Sequence, residues 1–201
     1  MAKTPVFVFD LGAVLIDWNP RHLYRKLFDD EGEMERFLSE ICTPAWNVEQ
    51  DRGRTWADAV AELSAAHPAH HDLIHAYQDR WDEMLAGPID DSVAILNELK
   101  ADGHELHALT NWSAETFPVA RERYEFLGQF ETILVSGEEG MIKPDAEIFE
   151  LLLGRIGRQA SECLFIDDSG KNIEAASRLG FDTVLFQGPD RLKEALSDRG
   201  L

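Results

Sequence analysis

Residues 6–12 read Val6-Phe7-Val8-Phe9-Asp10-Leu11-Gly12, four apolar residues that run directly into an aspartate, with a glycine two positions further on. A short run of β-branched and aromatic residues is typical of a strand buried on both faces of a sheet. Open α/β sheets bind ligands at the carboxyl ends of their strands, where Asp10 stands, and Gly12 permits a sharp turn or a close approach to a ligand. A lone aspartate at a strand end is most often a turn or capping residue. Asp10 becomes a candidate for chemistry because the same pattern recurs downstream.

Four further short apolar runs predict strands, and amphipathic helical patterns separate them. Such an alternation predicts an α/β fold, a Rossmann-like, doubly wound parallel sheet with helices on both faces. Several of these strands end in polar side chains, as the first one does. The runs are Glu105–Leu109, followed by Thr110 and Asn111; Thr132–Val135, followed by Ser136; Cys163–Ile166, followed by Asp167 and Asp168; and Thr183–Phe186.

Residues 20–87 contain no convincing strand pattern and predict an all-helical insertion of about four helices. The predicted helices are Arg21–Phe28, Glu33–Ile41, one that begins after Thr55, and His70–Leu85. We therefore predict an α/β core formed by residues 1–17 and 88–201, with a helical cap over residues 18–87. Because the insertion leaves and rejoins near the end of the first strand, the cap should lie over the carboxyl edge of the sheet.

The composition narrows the classes of partner. The chain has 201 residues with 19 Lys and Arg against 38 Asp and Glu, a formal charge of −19. This charge argues against nucleic acid or an anionic membrane as a partner. It also means that an anionic substrate must find a local positive group or a metal ion. The two cysteines, Cys42 and Cys163, form no C-x-x-C pair. Together with the absence of a signal-peptide pattern before the first strand, this predicts a cytoplasmic protein.

If the predicted strands are neighbours, their polar ends converge on one place. Three carboxylates, from Asp10, Asp167 and Asp168, would repel one another there. The single positive charge of Lys143, in the loop after the third strand, is not enough to balance them. A divalent cation that prefers oxygen ligands resolves the conflict, and Mg²⁺ is the best fit. Mg²⁺ bound by few protein oxygens usually also binds a substrate phosphate. Asp10 is then placed as a nucleophile for aspartyl-phosphate chemistry.

The ordered set of motifs resembles the haloacid dehalogenase-like hydrolase superfamily. The set spans residues 10 to 172, and the insertion point is similar to that of subfamily I, whose members carry a helical cap. Within the family, the closest resemblance is to bacterial sugar-phosphate phosphatases such as glucose-1-phosphate phosphatase. The four motifs are Asp10-Leu11-Gly12-Ala13-Val14-Leu15; Leu109-Thr110-Asn111; Lys143-Pro144; and Phe165-Ile166-Asp167-Asp168-Ser169 with Asn172.

The resemblance implies a Mg²⁺-dependent phosphatase that acts on a small phosphorylated metabolite, with a role for each matching residue. Asp10 would be the nucleophile, and Lys143 would balance charge beside it. The implied catalytic residues are Asp10, Lys143 and Thr110; the substrate-binding residues are Thr110, Asn111, Lys143, Trp112 and Trp18; the metal ligands are Asp10, the Gly12 carbonyl, Asp167 and Asp168. The sequence departs from the family at Gly12, where phosphatases usually carry a second aspartate that acts as general acid and base. Asp17 is one candidate replacement, although a turn or hinge role suits it better.

Gly12 leaves two alternatives open. A dehalogenase uses a strand-end aspartate on a carbon centre without Mg²⁺ and often lacks the second aspartate, but it has little use for the Asp167-Asp168 pair. A non-catalytic member that binds a phosphorylated metabolite is the other. In the cap, Trp46 and Trp56 suit a core better than a substrate pocket, while Arg21 or Arg52 would be placed to bind a second anion. His71 and His75 have the i, i+4 spacing of a metal pair, although a solvated helix face explains them better.

Overall fold

The central sheet of the computed structural model, which describes residues 6–201, has five parallel strands in the order β5-β4-β1-β6-β7. The first five residues of the predicted core segment 1–17 lie outside the described residues. The sheet confirms the predicted α/β class. Within residues 6–201 the strands are β1 (Val6–Phe9), β2 (Ile16–Trp18), β3 (Leu85–Pro88), β4 (Leu106–Thr110), β5 (Thr132–Val135), β6 (Cys163–Asp167) and β7 (Asp182–Leu185).

Strand β1 lies in the middle of this sheet, and this position explains why the strand is wholly apolar. Its side chains alternate between two separate hydrophobic clusters: Phe7 and Phe9 belong to one, Val6 and Val8 to the other. Both faces of the strand are therefore covered, and no polar residue is tolerated before the strand ends. The chain runs outward from β1 through β4 to β5 and then crosses back to β6 on the other side. That reversal of strand order opens a crevice at the carboxyl end of β1.

Eleven α-helices complete the described part of the chain. Five of them lie between β2 and β3, and the other six flank the sheet. The helices are α1 (Arg21–Tyr24), α2 (Glu31–Glu40), α3 (Pro44–Asp51), α4 (Trp56–Ala66), α5 (His71–Asp79), α6 (Asp90–Ala101), α7 (Phe117–Arg123), α8 (Ser136–Glu139), α9 (Ala146–Ile156), α10 (Gly170–Arg178) and α11 (Pro189–Ser197). Within residues 6–201, no helix combines the length and the apolar character that crossing a membrane requires.

The helical insertion differs from the prediction at two places. Helix α3 shows no apolar periodicity because its buried residues, Asn47 and Gln50, are polar. The helix begins with Pro44 in its first turn, and the Thr43 side chain caps it by accepting a hydrogen bond from the Trp46 N–H. The insertion is also joined to the core by a small antiparallel sheet of β2 and β3, in which Asp17 lies opposite Gly87. The prediction placed Leu85 in a helix, but that residue begins β3.

The segment between β4 and β5 contains one short α-helix, α7. Pro118 lies in the first turn of α7, where backbone N–H groups make no hydrogen bond within the helix, so the proline removes none. The segment Glu125–Gln129 then forms a 3₁₀ turn rather than a continuation of α7. Gly157 ends α9 in the left-handed conformation, with φ of 65°, which glycine adopts without a steric penalty.

Candidate active site

Asp10 follows β1 directly and continues its pairing with β6. Its backbone N–H donates to the Ile166 carbonyl at 2.8 Å, and its side-chain Oδ1 accepts from the Leu11 N–H at 2.7 Å. The residue is only 8% exposed, and it opens onto a cavity between the core and the cap. Asp10 is therefore held rigidly by the sheet while its carboxylate remains accessible from one side.

Lys143 reaches this carboxylate from the loop that follows α8. Its Nζ lies 3.0 Å from Asp10 Oδ1 and donates to Asp167 Oδ2 at 2.7 Å and to the Leu109 carbonyl at 2.8 Å. The loop itself is fastened by Asn111, whose amide donates to the Lys143 carbonyl and accepts from the Lys143 N–H, at 3.0 and 2.9 Å. The fully buried ammonium is thus fixed between two carboxylates.

Asp167, the last residue of β6, is completely buried, and its carboxylate is surrounded by donors. Asn172 Nδ2 lies 3.0 Å from both carboxylate oxygens, and the Ser169 N–H donates to Oδ1 at 2.8 Å. With Lys143, four hydrogen bonds converge on this one group. The next residue, Asp168, is exposed and lines the cavity instead. The adjacent aspartates therefore face different environments: one braces the site and the other borders its open side.

The electrostatics match the crowding of charge. Burial raises the pKa of Asp10; the Lys143 ammonium opposes that rise, and Asp167 adds to it, so that the net shift is upward. Burial and the neighbouring Asp167 also raise the pKa of Asp168. For Lys143, burial lowers the pKa, but attraction to Asp10 and Asp167 exceeds that effect and the pKa is raised. The site holds its ammonium firmly and still carries an excess of negative charge.

That excess, together with the donor set, fits a divalent cation. Carboxylate oxygens of Asp10, Asp167 and Asp168 all lie within 4.8 Å of one another. Such an all-oxygen set suits Mg²⁺, and a dication would offset the repulsion that raises the pKa of two of these carboxyls. The Thr110 hydroxyl, at the end of β4, is buried and has no hydrogen-bond partner within residues 6–201. It is a donor available to a bound anion.

The cavity beside Asp10, which we call the main cavity, has a volume of about 550 Å³ and is walled by core and cap together. A smaller space of about 60 Å³, the indole chamber, adjoins it and is lined by Trp18, Trp81 and Trp112 with Gly12 and Asn111. The cap side of the main cavity mixes polar and apolar residues. The polar ones are Asn19, Arg21, Glu35, Ser39, Asn47, Asp51 and Tyr77, and the apolar ones are Trp18, Pro20, Leu38, Cys42, Pro44 and Val48.

The structure brings together most of the residues that the sequence singled out. Asp10, Gly12, Asn111, Asp168 and Trp18 line the main cavity, Trp112 lines the indole chamber, and Lys143, Thr110 and Asp167 lie buried behind them.

Other candidates lie elsewhere. Asp17 Oδ1 lies 3.0 Å from His22 Nε2, within hydrogen-bonding distance, and Asp17 is not among the residues that line the main cavity. Arg52 forms an ion pair with Asp145 at 3.0 Å, and Trp56 is buried in the core.

Asn47 and Asp51 in α3 are functional candidates of the cap that the sequence pattern did not predict. They line both the main cavity and the indole chamber. Their i, i+4 spacing places them on one face of the helix, and the Asn47 amide donates to Asp51 Oδ2 at 3.0 Å. The sequence indicates this pair only through two polar residues at i, i+4 spacing after a proline that can begin a helix. Apolar periodicity does not detect such a pair.

The haloacid dehalogenase-like hydrolase family has a model that matches residues 4–180, and the chain therefore belongs to this family of hydrolases. Among curated proteins, the chain is 29% identical over 173 residues to the sesquiterpene phosphatase astK of Aspergillus oryzae, covering 86% of this chain and 85% of that protein. It is 29% identical over 150 residues to a ribulose-1,5-bisphosphate 5-phosphatase of Halopiger xanaduensis, covering 69% of this chain and 63% of that protein.

Solved structures share the whole architecture. A predicted HAD-like hydrolase from Porphyromonas gingivalis superposes with a TM-score of 0.74 at 22% identity, covering 98% of each chain. A HAD family enzyme from Bacteroides thetaiotaomicron, solved in complex with magnesium and inorganic phosphate, gives a TM-score of 0.66 at 22% identity over 90% of this chain and 93% of that one. At these identities the likeness concerns the fold.

Proposed function

We propose that this hydrolase is a Mg²⁺-dependent phosphatase that transfers a phosphoryl group from a small phosphorylated metabolite to Asp10. The observation that carries the proposal is the position of Asp10: a carboxylate fixed at the end of the central strand, 3.0 Å from a buried ammonium and open to a cavity. The relatives named as phosphatases support the reaction class, and the solved magnesium and phosphate complex of a protein with the same fold supports the cofactor.

In this mechanism an Asp10 carboxylate oxygen attacks phosphorus, the bond from phosphorus to the leaving oxygen breaks, and water then hydrolyses the phospho-aspartate. Lys143 keeps Asp10 ionised and oriented. The Thr110 hydroxyl, which is unpartnered within residues 6–201, donates to a phosphoryl oxygen. Asn111 lines the main cavity and also positions the Lys143 loop.

Asp10, the Gly12 carbonyl, Asp167 and Asp168 would hold Mg²⁺, which would neutralise charge on the phosphoryl group. Among these groups, the exposed Asp168 has the more available carboxylate, because four hydrogen bonds already converge on Asp167.

A sugar phosphate is the substrate class that suits the main cavity. Asn19, Ser39 and Asn47 offer hydrogen-bonding groups to hydroxyls, while Trp18 offers an apolar face of the kind that stacks on a sugar ring. A volume of about 550 Å³ accommodates a metabolite of that size. The free, buried cysteines Cys42 and Cys163 suit a reducing compartment, so a cytoplasmic location belongs to the proposal.

The test is phosphate release from a panel of sugar phosphates, with and without Mg²⁺. We expect Mg²⁺-dependent turnover by the wild type and a loss of at least about 10³-fold in Asp10→Asn, because the amide is not a nucleophile. Asp29→Asn, a change at an exposed cap aspartate, is the matched control and should retain wild-type rates. Mg²⁺ should also raise the thermal unfolding temperature of the wild type more than that of Asp168→Asn.

The panel also separates the alternatives. Release of halide from 2-haloacids without Mg²⁺, and no release of phosphate, would identify a dehalogenase and contradict the proposal. Binding of Mg²⁺ and phosphate by a folded protein that turns over nothing would indicate a non-catalytic binding protein.

A further inference from the structure

Gly12, two residues after Asp10, leaves unfilled space where a side chain would lie. Gly12 lines both the main cavity and the indole chamber, and a Cβ placed on it would meet no atom within 4 Å. Its backbone lies outside the left-handed region, so the conformation does not require glycine there. The site therefore has room beside the nucleophile, but position 12 carries no acidic side chain that could protonate a leaving group.

Asp51 borders that space from the opposite side. It ends α3 in the cap, and it shares both the main cavity and the indole chamber with Gly12. The other acids that border the main cavity are Asp10 and Asp168, which belong to the nucleophile and metal cluster, and Glu35, which is bound to Arg21 through two hydrogen bonds of 2.5 and 2.6 Å. Asp51 is thus the cap acid that is not committed to a cation.

The orientation of Asp51 is fixed by core and cap together. Its backbone carbonyl accepts from the Ser136 hydroxyl at 2.6 Å, and the Ser113 backbone N–H donates to its carboxylate. Asn47 donates to Asp51 Oδ2 at 3.0 Å, while its own side-chain oxygen accepts from the Tyr77 hydroxyl at 3.2 Å. Ser113 follows Thr110 and Asn111 in the same loop. The side chain is therefore anchored to the loop that carries the proposed phosphate donors.

We propose that Asp51 is the general acid and base of the reaction, supplied by the cap in place of the acid that Gly12 lacks. The assignment rests on the proposed phosphatase function. As Asp10 attacks phosphorus and the bond to the leaving oxygen breaks, the proton of the Asp51 carboxyl passes to that oxygen and releases an alcohol. The Asp51 carboxylate then accepts a proton from the water that attacks the phospho-aspartate, which frees Asp10 and releases inorganic phosphate.

The protonation of Asp51 suits both halves of this cycle. Burial raises its pKa to about 7, and the Ser113 N–H opposes that rise in part. A group that gives and then takes a proton works best when its pKa lies near the working pH. The ionisable groups that border the same cavity are Asp10, Asp168, Glu35, Arg21, Cys42 and Tyr77.

The test compares Asp51→Asn with Glu49→Gln, a change at an exposed acid of the same helix. For an alkyl phosphate such as the best sugar phosphate of the panel, we expect kcat/KM of Asp51→Asn to fall about 10²- to 10⁴-fold. For p-nitrophenyl phosphate, whose leaving group needs no proton, the first-turnover burst of p-nitrophenolate should survive while steady-state turnover slows. Asp51→Glu, which retains an acid, should recover part of the alkyl phosphate activity, and Glu49→Gln should match the wild type.

Each outcome bears on the assignment. Wild-type rates of Asp51→Asn on the alkyl phosphate would overturn it and leave the phosphatase function standing. An equal loss in the burst and on the alkyl phosphate would overturn it as well, because a structural defect does not distinguish leaving groups. A wild type inactive toward every phosphate would overturn the proposed function and the assignment together.

Discussion

The core and the cap contribute differently to the cavity that they share. On the core side, Asp10, Lys143 and Asp167 are buried and joined by charge-assisted hydrogen bonds of 2.7–3.0 Å. On the cap side, Arg21 and Glu35 form an ion pair whose side chains are 38% and 43% exposed. The buried network leaves little conformational freedom, which suits the proposed reaction, because its chemistry at phosphorus is the same for every phosphate ester. Residues of the open cap wall can be substituted at a small cost in stability, which suits the recognition of different leaving groups.

Because the core network is buried and the cap wall is exposed, the largest effect on stability should come from the core network. In Lys143→Met, Asp10 and Asp167 lose their shared ammonium, and a buried charge left without its partner costs about 3–5 kcal/mol of unfolding free energy. Chemical denaturation measures this loss. Lys171→Met, at an exposed lysine of α10, should change the unfolding free energy by less than about 0.5 kcal/mol. The double variant Lys143→Met, Asp167→Asn should regain part of the loss, and equal stability of wild type and Lys143→Met would contradict the argument.

An intermediate effect is expected at Asp51, where core and cap meet. Its pKa of about 7 in the folded protein exceeds the ordinary value of 3.8, so the folded state binds more protons between these pH values and stability falls as pH rises through that window. Asp51→Asn carries no such proton. It should be about 1–3 kcal/mol more stable than the wild type at pH 8, less than the full shift implies because the carboxyl borders an open cavity.

The advantage of Asp51→Asn should disappear near pH 3, about one unit below the ordinary pKa, where the wild-type carboxyl is protonated in the folded state and largely so in the unfolded chain. Thermal or denaturant unfolding at several pH values follows the difference. A gap between the two proteins that does not vary with pH would show that Asp51 is not the group that titrates.

The smallest effect on stability belongs to the cap wall. Arg21→Met should change the unfolding free energy by less than about 1 kcal/mol, because the Arg21–Glu35 pair is exposed to solvent. Its effect should appear in KM instead. Glu35→Gln frees the Arg21 guanidinium and should lower KM for a substrate with a second anionic group. Arg25→Met, at an exposed arginine near Glu31, is the control. A large change in kcat in either cavity variant would contradict a role limited to recognition.

Much of the core could be predicted from the sequence because its signals are local. A strand buried on both faces must be wholly apolar, so Phe7 and Val8 could be recognised from composition alone, and so could the polar residue that ends the run. Parallel strands joined by helices place such ends at one edge of a sheet. The sequence therefore predicts that the acids Asp10 and Asp167 lie near each other.

The cap was harder to predict because its important residues are polar. Helix α3 buries Asn47 and Gln50 rather than a stripe of apolar side chains, and its register gives no hydrophobic periodicity. The sheet of β2 and β3 pairs residues that are far apart in sequence, such as Ile16 with Pro88 and Trp18 with Leu85, so no local pattern indicates it. Asp51 has no neighbour in sequence that marks it as part of a site.

The α/β class, the order of the motifs and the acids at the strand ends can all be read from the sequence, because strand burial and chain order are properties of short segments. Three other features are visible only in the folded protein: β1 lies between β4 and β6, Asn111 is hydrogen-bonded to the Lys143 loop, and Asp51 borders the space beside Gly12. Each of these depends on contacts between residues that are distant in sequence. Such contacts form only when whole elements dock, since the free energy that fixes them comes from burial shared across the interface.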